Sequence, residues 1–540
     1  MKPNKKHLFF LLLASVAIFT SHLDITFVDI MESRNFITAR EMLRNGNWIH
    51  TTMNLEPRYE KPPLPTWMTA ASASVFGLDS IAGLRLPAAL MAIFLVFTSY
   101  LFGIKLLKDR NQTFYGSLIL ATSFYIVFAG RNGQWDIFAH SFMFFSIYQY
   151  YLAFDNEKIL WKHWLLAGIF SGFAIMSKGP IPHYALLLPF LLAYGFVFRY
   201  RGFSNKWGAL FVSVLIMAVV GFSWAFYIYM TDGPTAFATA EKETGSWSKH
   251  NVRPFYYYWN FFIQSGIWTF FALLAVVYPY LIRRVQNKKI YTFYFLWTIF
   301  AVIVLSFIPI KKARYLLPVL IPLAFTTSYY IEYLINSAKK LSKTDAFLAN
   351  FGFGLIGLIG LVFPLGAWFY FGEKLNGYYM WYTLTSLALF FTGVLIFRFL
   401  RIKKIEKAFY CVVFFLCSVI VFGYPMANML YDNPDHKDIS EVRTLENTKD
   451  LPLYYLGYFA PEFMWRIGEP VKKLKTLDEL HGLDRAGVFA NDSIANLIRQ
   501  QYPVQFTTVY DANVVKQGKK NYKDRRSINF LILGSKSADN

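Results

Sequence analysis

A chain of 540 residues with 55% hydrophobic and 20% aromatic side chains is too apolar to solvate itself as a set of soluble domains, so it belongs in a bilayer. Its net charge of +21 would suit a nucleic-acid partner, but the charge is distributed as loops flanking membrane spans require, and nucleic-acid binding is excluded on that ground. The two cysteines, Cys411 and Cys417, both fall in one apolar run, so neither a disulfide framework nor a thiol metal site is implied.

A helical span needs about 20 mostly apolar residues. Thirteen runs qualify, near 8–26, 84–104, 113–130, 137–154, 163–178, 180–198, 208–230, 259–282, 290–309, 315–335, 346–371, 379–398 and 408–424. The opening "MKPNKKHLFFLLLASVAIFT" has the charged and apolar regions of a signal peptide. It is expected to be retained, because its removal would take away a span and spoil the alternation of charge that follows. With the N-terminus inside, the segments 1–7, 104–112, 155–163, 199–207, 283–289, 336–345 and 398–407 face the cytoplasm. Together they hold 23 Lys and Arg against five acids, which is +18 of the total +21.

The same topology puts the loops 27–83, 231–258 and 309–314 outside, with everything after about residue 425. In the first of these, "ESRNFITAREMLRNG" has a helical period that stops at Gly46. "LPTWMTAASASVFGL" is apolar and rich in small residues, as suits a segment lying along the interface. Beyond 425 the composition changes. The runs "LPLYYLGYF", "RAGVFA", "VQFTTVY" and "INFLILGS" have strand character and "NDSIANLIRQQY" is helical, which predicts a small water-soluble α/β domain. The lysine-rich "VVKQGKKNYKDRR" reads as a solvated loop. The expected architecture is a polytopic α-helical membrane protein of about thirteen spans, residues 1–424, followed by an exterior α/β domain, residues 425–540.

Charge near hydrocarbon is expensive and is usually paired or put to use. Several charged residues are expected at the outer rim: Asp29, Glu32 and Arg34 after the first span, Glu60 and Lys61 in "EPRYEKPPLPTW", and Arg131 and Asp136 in "GRNGQWD". Lys178 follows in "SKGPIPH", and Lys311, Lys312 and Arg314 in "IPIKKARYLLP". Singly, each could be a snorkelling cation or a helix cap. Together they would suit a lipid phosphate held by charge-assisted donors, with carboxylates beside it as base or acceptor guide. The prolines of "EKPPLP" would stiffen the segment that carries Glu60 and Lys61.

At these residues the chain resembles the GT-C membrane glycosyltransferases, in the branch of the bacterial aminoarabinose transferase of lipid A and the protein O-mannosyltransferases. "MESRNFITAREMLRNGNWIHTTMNLEPRYEKPPLPTW" is similar to that family's first exterior loop, and "GRNGQWDIFAH" to its second acidic site. "SKGPIPH", "KKARYLLPVLIP" and "SWSKHNVRPFYYYWN" match in character and order, so the likeness covers roughly residues 8–335. The resemblance implies transfer of a sugar, with inversion, from a polyprenyl-phosphate donor on the outer face of a bacterial inner membrane. It implies Glu32 and Asp136 as catalytic acids, with Asp29 brought in as a third unless Glu32 alone does the acidic work of the first pair, and Lys61 as the phosphate-contacting lysine. It implies Arg131, Lys178 and Arg314 as further phosphate or substrate contacts; Lys311 and Lys312 are expected to join them at the phosphate, and Arg34, Glu60, His250 and Arg253 are expected to position substrate. One departure stands out: the family's acidic pair begins with Asp where this chain has Met31, and the nearest upstream acid is Asp29.

A lipid acceptor such as lipid A is expected, with a protein acceptor as the alternative. No obligatory metal is expected, although a divalent cation stays open. A transporter or flippase is the rival from another class, but such proteins place their charges near the midplane and show repeat symmetry. The partners expected are the lipid-linked donor, the acceptor and membrane lipids, and the chain is expected to act as a monomer.

Overall fold

The computed structural model describes residues 1–200, 205–246, 251–445, 448, 451–483 and 485–534. The helices in chain order begin with α1 (Lys5–Thr20), α2 (Ile30–Asn45), α3 (Leu64–Phe76), α4 (Ile81–Leu106), α5 (Arg110–Ala121), α6 (Phe124–Gly130) and α7 (Trp135–Asp155). Next come α8 (Trp161–Lys178), α9 (Leu188–Phe198), α10 (Trp207–Thr231), α11 (Gly233–Ser246), α12 (Thr269–Ala275), α13 (Tyr278–Leu281) and α14 (Lys288–Phe307). The last six are α15 (Leu317–Asn336), α16 (Lys343–Phe371), α17 (Tyr379–Arg401), α18 (Ile405–Ser418), α19 (Pro461–Ile467) and α20 (Asp492–Gln501). The chain divides into two units: Met1–Ile25 with Tyr59–Met426, and Thr26–Arg58 with Ala427–Asn540.

The first unit is helical and multi-pass. Among the described residues six helices are long and apolar enough to cross a membrane: α4, α10, α14, α16, α17, and α18 with the turns that follow it. A seventh crossing results if α5 and α6, bent by 63° at their junction, count as one span. Of the thirteen expected runs, some of the others are shorter or interrupted. The run 259–282 is a 3-10 segment, Phe261–Trp268, followed by the short helices α12 and α13, and Gly266 at φ +66° breaks it. α10 and α16 turn large apolar side chains outward, with Phe211 69%, Phe226 61% and Phe369 81% exposed, as lipid-facing surfaces do.

Small residues let the helices behind the site approach closely. A Cβ on Gly168 of α8 would lie 2.5 Å from the Ser213 carbonyl of α10, and one on Gly221 of α10 2.8 Å from Ile175 of α8. On its other side α8 meets α7 through Phe145 and Phe170, whose ring centroids are 4.3 Å apart, and through a Ser146 hydroxyl that donates to the Ala167 carbonyl at 2.8 Å. These contacts fix where both helices end. Asp136 lies at the start of α7 and Lys178 at the end of α8.

The second unit is built on a five-stranded sheet of order β4-β3-β5-β7-β6. It is preceded in the chain by a two-stranded ribbon, β1 (Thr52–Met53) with β2 (Glu56–Pro57). The sheet strands are β3 (Leu453–Leu456), β4 (Lys472–Leu474), β5 (Gly487–Ala490), β6 (Val504–Asp511) and β7 (Ser527–Leu533). β4, β3 and β5 are parallel, and β7 runs antiparallel to both of its neighbours, β5 and β6. Successive strand side chains point to opposite faces. Phe489, Phe530 and Ile532 therefore enter one core with Phe459 and Phe463, whereas Val488, Ala490 and Leu531 enter the other with Ala495 and Ile498 of α20.

Residues 26–58, expected to belong to the exterior loop of the membrane part, group with the C-terminal residues. The reason is a set of polar anchors. Arg40 donates to the Trp465 and Met464 carbonyls at 3.2 Å each, and Arg44 to the Gly468 carbonyl at 2.8 Å. Cations are favoured at a helix C-terminus, here that of α19. Asn54 exchanges two 2.8 Å hydrogen bonds with the backbone of Val471. The helix expected to stop at Gly46 does so: that glycine takes φ +73°, and its N–H donates to the Met42 carbonyl.

Candidate active site

The site forms in the first unit where three elements end together. Gln134, in extended conformation, opens α7 and leaves Asp136 in the first turn, where the helix dipole favours a carboxylate. α8 closes at Lys178 because Gly179 adopts φ +69° and ψ −157°, a conformation that other residues take only under strain. Arg314 stands on the 3-10 turn Ala313–Leu316 that leads into α15, with Pro318 setting the first helical turn.

Lys178 and Asp136 form a direct ion pair, and each side chain keeps only 10% of its surface exposed. The Lys178 ammonium also lies over the Tyr315 ring, 5.3 Å from its centroid. Arg314 donates from Nη1 to Gln134 Oε1 at 3.2 Å and lies within the electrostatic reach of Asp136. Lys61 pairs with Glu243 at 3.2 Å and is close enough to Lys178 for their charges to interact. One acid, Asp136, thus faces the cations Lys178 and Arg314, with Lys61 and Glu243 beside them. Such a cluster can bind an oxyanion through charge-assisted hydrogen bonds.

"EPRYEKPPLPTW" has a structural role here. Pro63 is the N-cap of α3 and Pro65 occupies its first turn, so the prolines start a helix and hold the preceding Glu60 and Lys61 rigidly. Glu60 lies 3.9 Å from Lys242 of α11.

Other expected site residues have partners of their own. Asp29 and Glu32 form a capping box on α2 in the second unit. The Asp29 carboxylate accepts from the Met31 and Glu32 amides at 2.7 and 3.0 Å, and Glu32 Oε2 accepts from the Asp29 amide at 3.2 Å. Glu32 is fully buried, and Arg34 follows on the same helix. Arg131 donates to the carbonyls of Ile18 at 2.6 Å and His22 at 3.2 Å and stacks on Tyr424, 4.4 Å from its centroid. Arg85 similarly donates to the Leu23 carbonyl, so the two arginines hold the C-terminal end of α1.

Lys311 donates to the Arg253 and Ile308 carbonyls at 3.1 and 2.7 Å and is 4% exposed, and burial lowers its pKa from the ordinary lysine range. Lys312 exchanges hydrogen bonds with the Tyr258 hydroxyl through its backbone, and Arg253 is exposed. His250 lies outside the described residues. The structure therefore brings Asp136, Lys178, Arg314 and Lys61 together, and Asp29, Glu32, Arg131 and Lys311 each have backbone partners. Sequence reasoning missed Glu243, Gln134 and Tyr315. The signal for Glu243 was its position in the exterior segment 231–258. Among the described residues no group of three or more His, Cys, Asp or Glu could hold a metal ion.

Residues 60–226 match the family model described as dolichyl-phosphate-mannose-protein mannosyltransferase, a stretch that begins at Glu60 and includes Lys61, Asp136 and Lys178. An uncharacterised protein of Aquifex aeolicus is 24% identical over 78% of this chain and 79% of its own length. An undecaprenyl phosphate-alpha-4-amino-4-deoxy-L-arabinose arabinosyl transferase of Pseudomonas savastanoi is 24% identical over 62% of each chain. The chain spans about three fifths of the length of the arabinosyl transferases it matches. Among solved structures, ArnT from Cupriavidus metallidurans bound to undecaprenyl phosphate is similar over 97% of both chains, with 16% identity and a TM-score of 0.67. The same protein in the apo state gives 0.64. The chain therefore has the GT-C fold of the aminoarabinose-transferase type.

Proposed function

We propose that the chain is a membrane glycosyltransferase that moves a sugar from a polyprenyl-phosphate donor to a lipid A-like acceptor, with inversion at the anomeric carbon. The observation that carries the reading is the buried Asp136–Lys178 pair flanked by Arg314 and Lys61. The donor phosphate lies among Lys61, Lys178 and Arg314, whose charges stabilise the negative charge that builds on the leaving phosphate as the glycosidic bond breaks. Asp136 holds the Lys178 ammonium in place and orients the acceptor, which attacks from the face opposite the phosphate. An ionised phosphate acceptor needs no general base. The relatives named as arabinosyl transferases and the fold shared with ArnT support this reading. Glu32 and Asp29, which cap α2, are the further catalytic acids of this reading.

The charge bias of the loops supports thirteen crossings with the N-terminus inside. It also supports a site on the outer face of a bacterial inner membrane, with the residues after the last span on that side. A second reading, transfer to protein, is favoured by the match to the mannosyltransferase family model.

The test is transfer of labelled sugar from polyprenyl-phosphate donors to separate lipid and protein fractions, using purified wild type, Asp136→Asn and Lys61→Ala. Label is expected in the lipid fraction and lost in Asp136→Asn. Removing one charged hydrogen-bond partner should raise the donor KM of Lys61→Ala roughly tenfold or more. Label in protein selects the second reading. Unchanged kinetics in Lys61→Ala would remove that residue from the site, and a folded wild type that consumes no donor would refute the transferase.

A further inference from the structure

Where the proline segment meets α11, two ion pairs stand side by side with their charges crossed. Lys61 pairs with Glu243 at 3.2 Å, and its neighbour Glu60 lies 3.9 Å from Lys242. The two pairs differ in kind. Lys242 is 78% exposed, so solvent screens its attraction to Glu60 and the pair contributes little. Lys61 and Glu243 keep 23% and 39% of their side-chain surface, half-buried yet still reachable from solvent. They also belong electrostatically to the site, because Lys61 acts on Lys178, and Glu243 acts on Tyr315 together with Asp136 and Arg314.

The balance of charge in the cluster gives Glu243 a purpose. Lys61 and Arg314 are two cations that both act electrostatically on a third, Lys178. Asp136 neutralises Lys178, and without a second anion Lys61 would face the other two uncompensated. Glu243 supplies that anion, and its carboxylate offers the Lys61 ammonium the same kind of oxygen acceptor that a phosphate would. The Lys61 ammonium thus has an oxyanion partner whether or not a donor is bound.

We propose that Glu243 is a placeholder for the donor phosphate: its carboxylate occupies Lys61 until the phosphate of the lipid carrier displaces it. This rests on the reading of Lys61 as a phosphate-binding residue. Binding is then an exchange of anions, and a polyprenyl chain without phosphate cannot carry it out. Once displaced, Glu243 is repelled by the incoming phosphate, so α11 loses its stronger tie to the proline segment at the moment the donor is seated.

The experiment titrates undecaprenyl phosphate, with undecaprenol as the uncharged control, onto the purified full chain in nanodiscs of neutral lipid, read by intrinsic tryptophan fluorescence. Wild type, Glu243→Gln, Lys61→Ala and the double variant are compared. Glu243→Gln is expected to bind undecaprenyl phosphate about 2- to 5-fold more tightly, the size of a partly exposed ion pair. The gain should shrink at high salt and vanish in the Lys61→Ala background. Undecaprenol binding should be the same in all four proteins. Glu243→Gln binding unchanged or weaker, while Lys61→Ala weakens binding, would overturn the placeholder and leave the phosphate site standing. Lys61→Ala binding as wild type would overturn both.

Discussion

The Asp136–Lys178 pair makes an asymmetric prediction. Both side chains are nine-tenths buried, so removing one partner leaves the other charge largely without water. Their surroundings are not equivalent. If Lys178 becomes Met, Asp136 still has Arg314 within reach. If Asp136 becomes Asn, Lys178 is left facing Arg314 and Lys61, both of its own sign. Asp136→Asn should therefore carry the full loss of a broken buried pair, about 3–5 kcal/mol. Lys178→Met should lose about 1–3 kcal/mol, as for a charged group that keeps part of its compensation. The double variant should resemble Lys178→Met alone, because it holds no uncompensated lysine. Membrane proteins of this size commonly unfold irreversibly, so the readout is the thermal half-life of each purified protein at one temperature in one detergent. The expected order is wild type, then Lys178→Met and the double variant together, then Asp136→Asn. Equal losses in the two single variants with an additive double would refute the coupling and the cluster drawn around it.

Glu462 in the second unit carries a pH prediction. Burial pushes its pKa up, but Arg525 and Arg526, at 2.7 and 3.1 Å, outweigh burial and hold it below the usual carboxylate range. Its stabilisation is complete above the unfolded value of about 4.3 and is lost as pH falls through the lower folded value. Glu462→Gln should cost about 3–5 kcal/mol at neutral pH and remove that acid-side dependence. Thermal stability scanned from pH 3 to 7 (about the titration range of carboxylates) checks this, and an unchanged profile would refute it. Asp29→Ala should destabilise α2 by about 1 kcal/mol through loss of its cap, whereas Asp29→Asn, which can still cap, should not. Hydrogen exchange of the Met31 and Glu32 amides is the direct measurement, since both donate to Asp29.

The sequence by itself determined the class of the molecule and much of its local structure. Repeated apolar runs of about 20 residues call for membrane-spanning helices, and the stop of α2 at Gly46 follows from the left-handed conformation that glycine accepts. The runs "RAGVFA", "VQFTTVY" and "INFLILGS" coincide with β5, β6 and β7, because short apolar or alternating runs bounded by polar turns read as strands. β4 and α19 escaped that reading, since segments of three and seven residues are too short to show a period.

Only the tertiary structure decided which charges meet. Asp136 and Lys178 are 42 positions apart, and Lys61 and Glu243 are 182 apart. Nothing local separates Lys178, which faces Asp136, from Arg131, whose donors reach one carbonyl in α1 and one just after it. Arg40 and Arg44 looked like parts of an exterior loop, yet they join 26–58 to the C-terminal residues by reaching the carbonyls at the end of α19. Periodicity and turn chemistry act over a few residues and can be read along the chain. The partner of a buried charge is chosen by how the helices pack, and that choice exists only once the chain has folded.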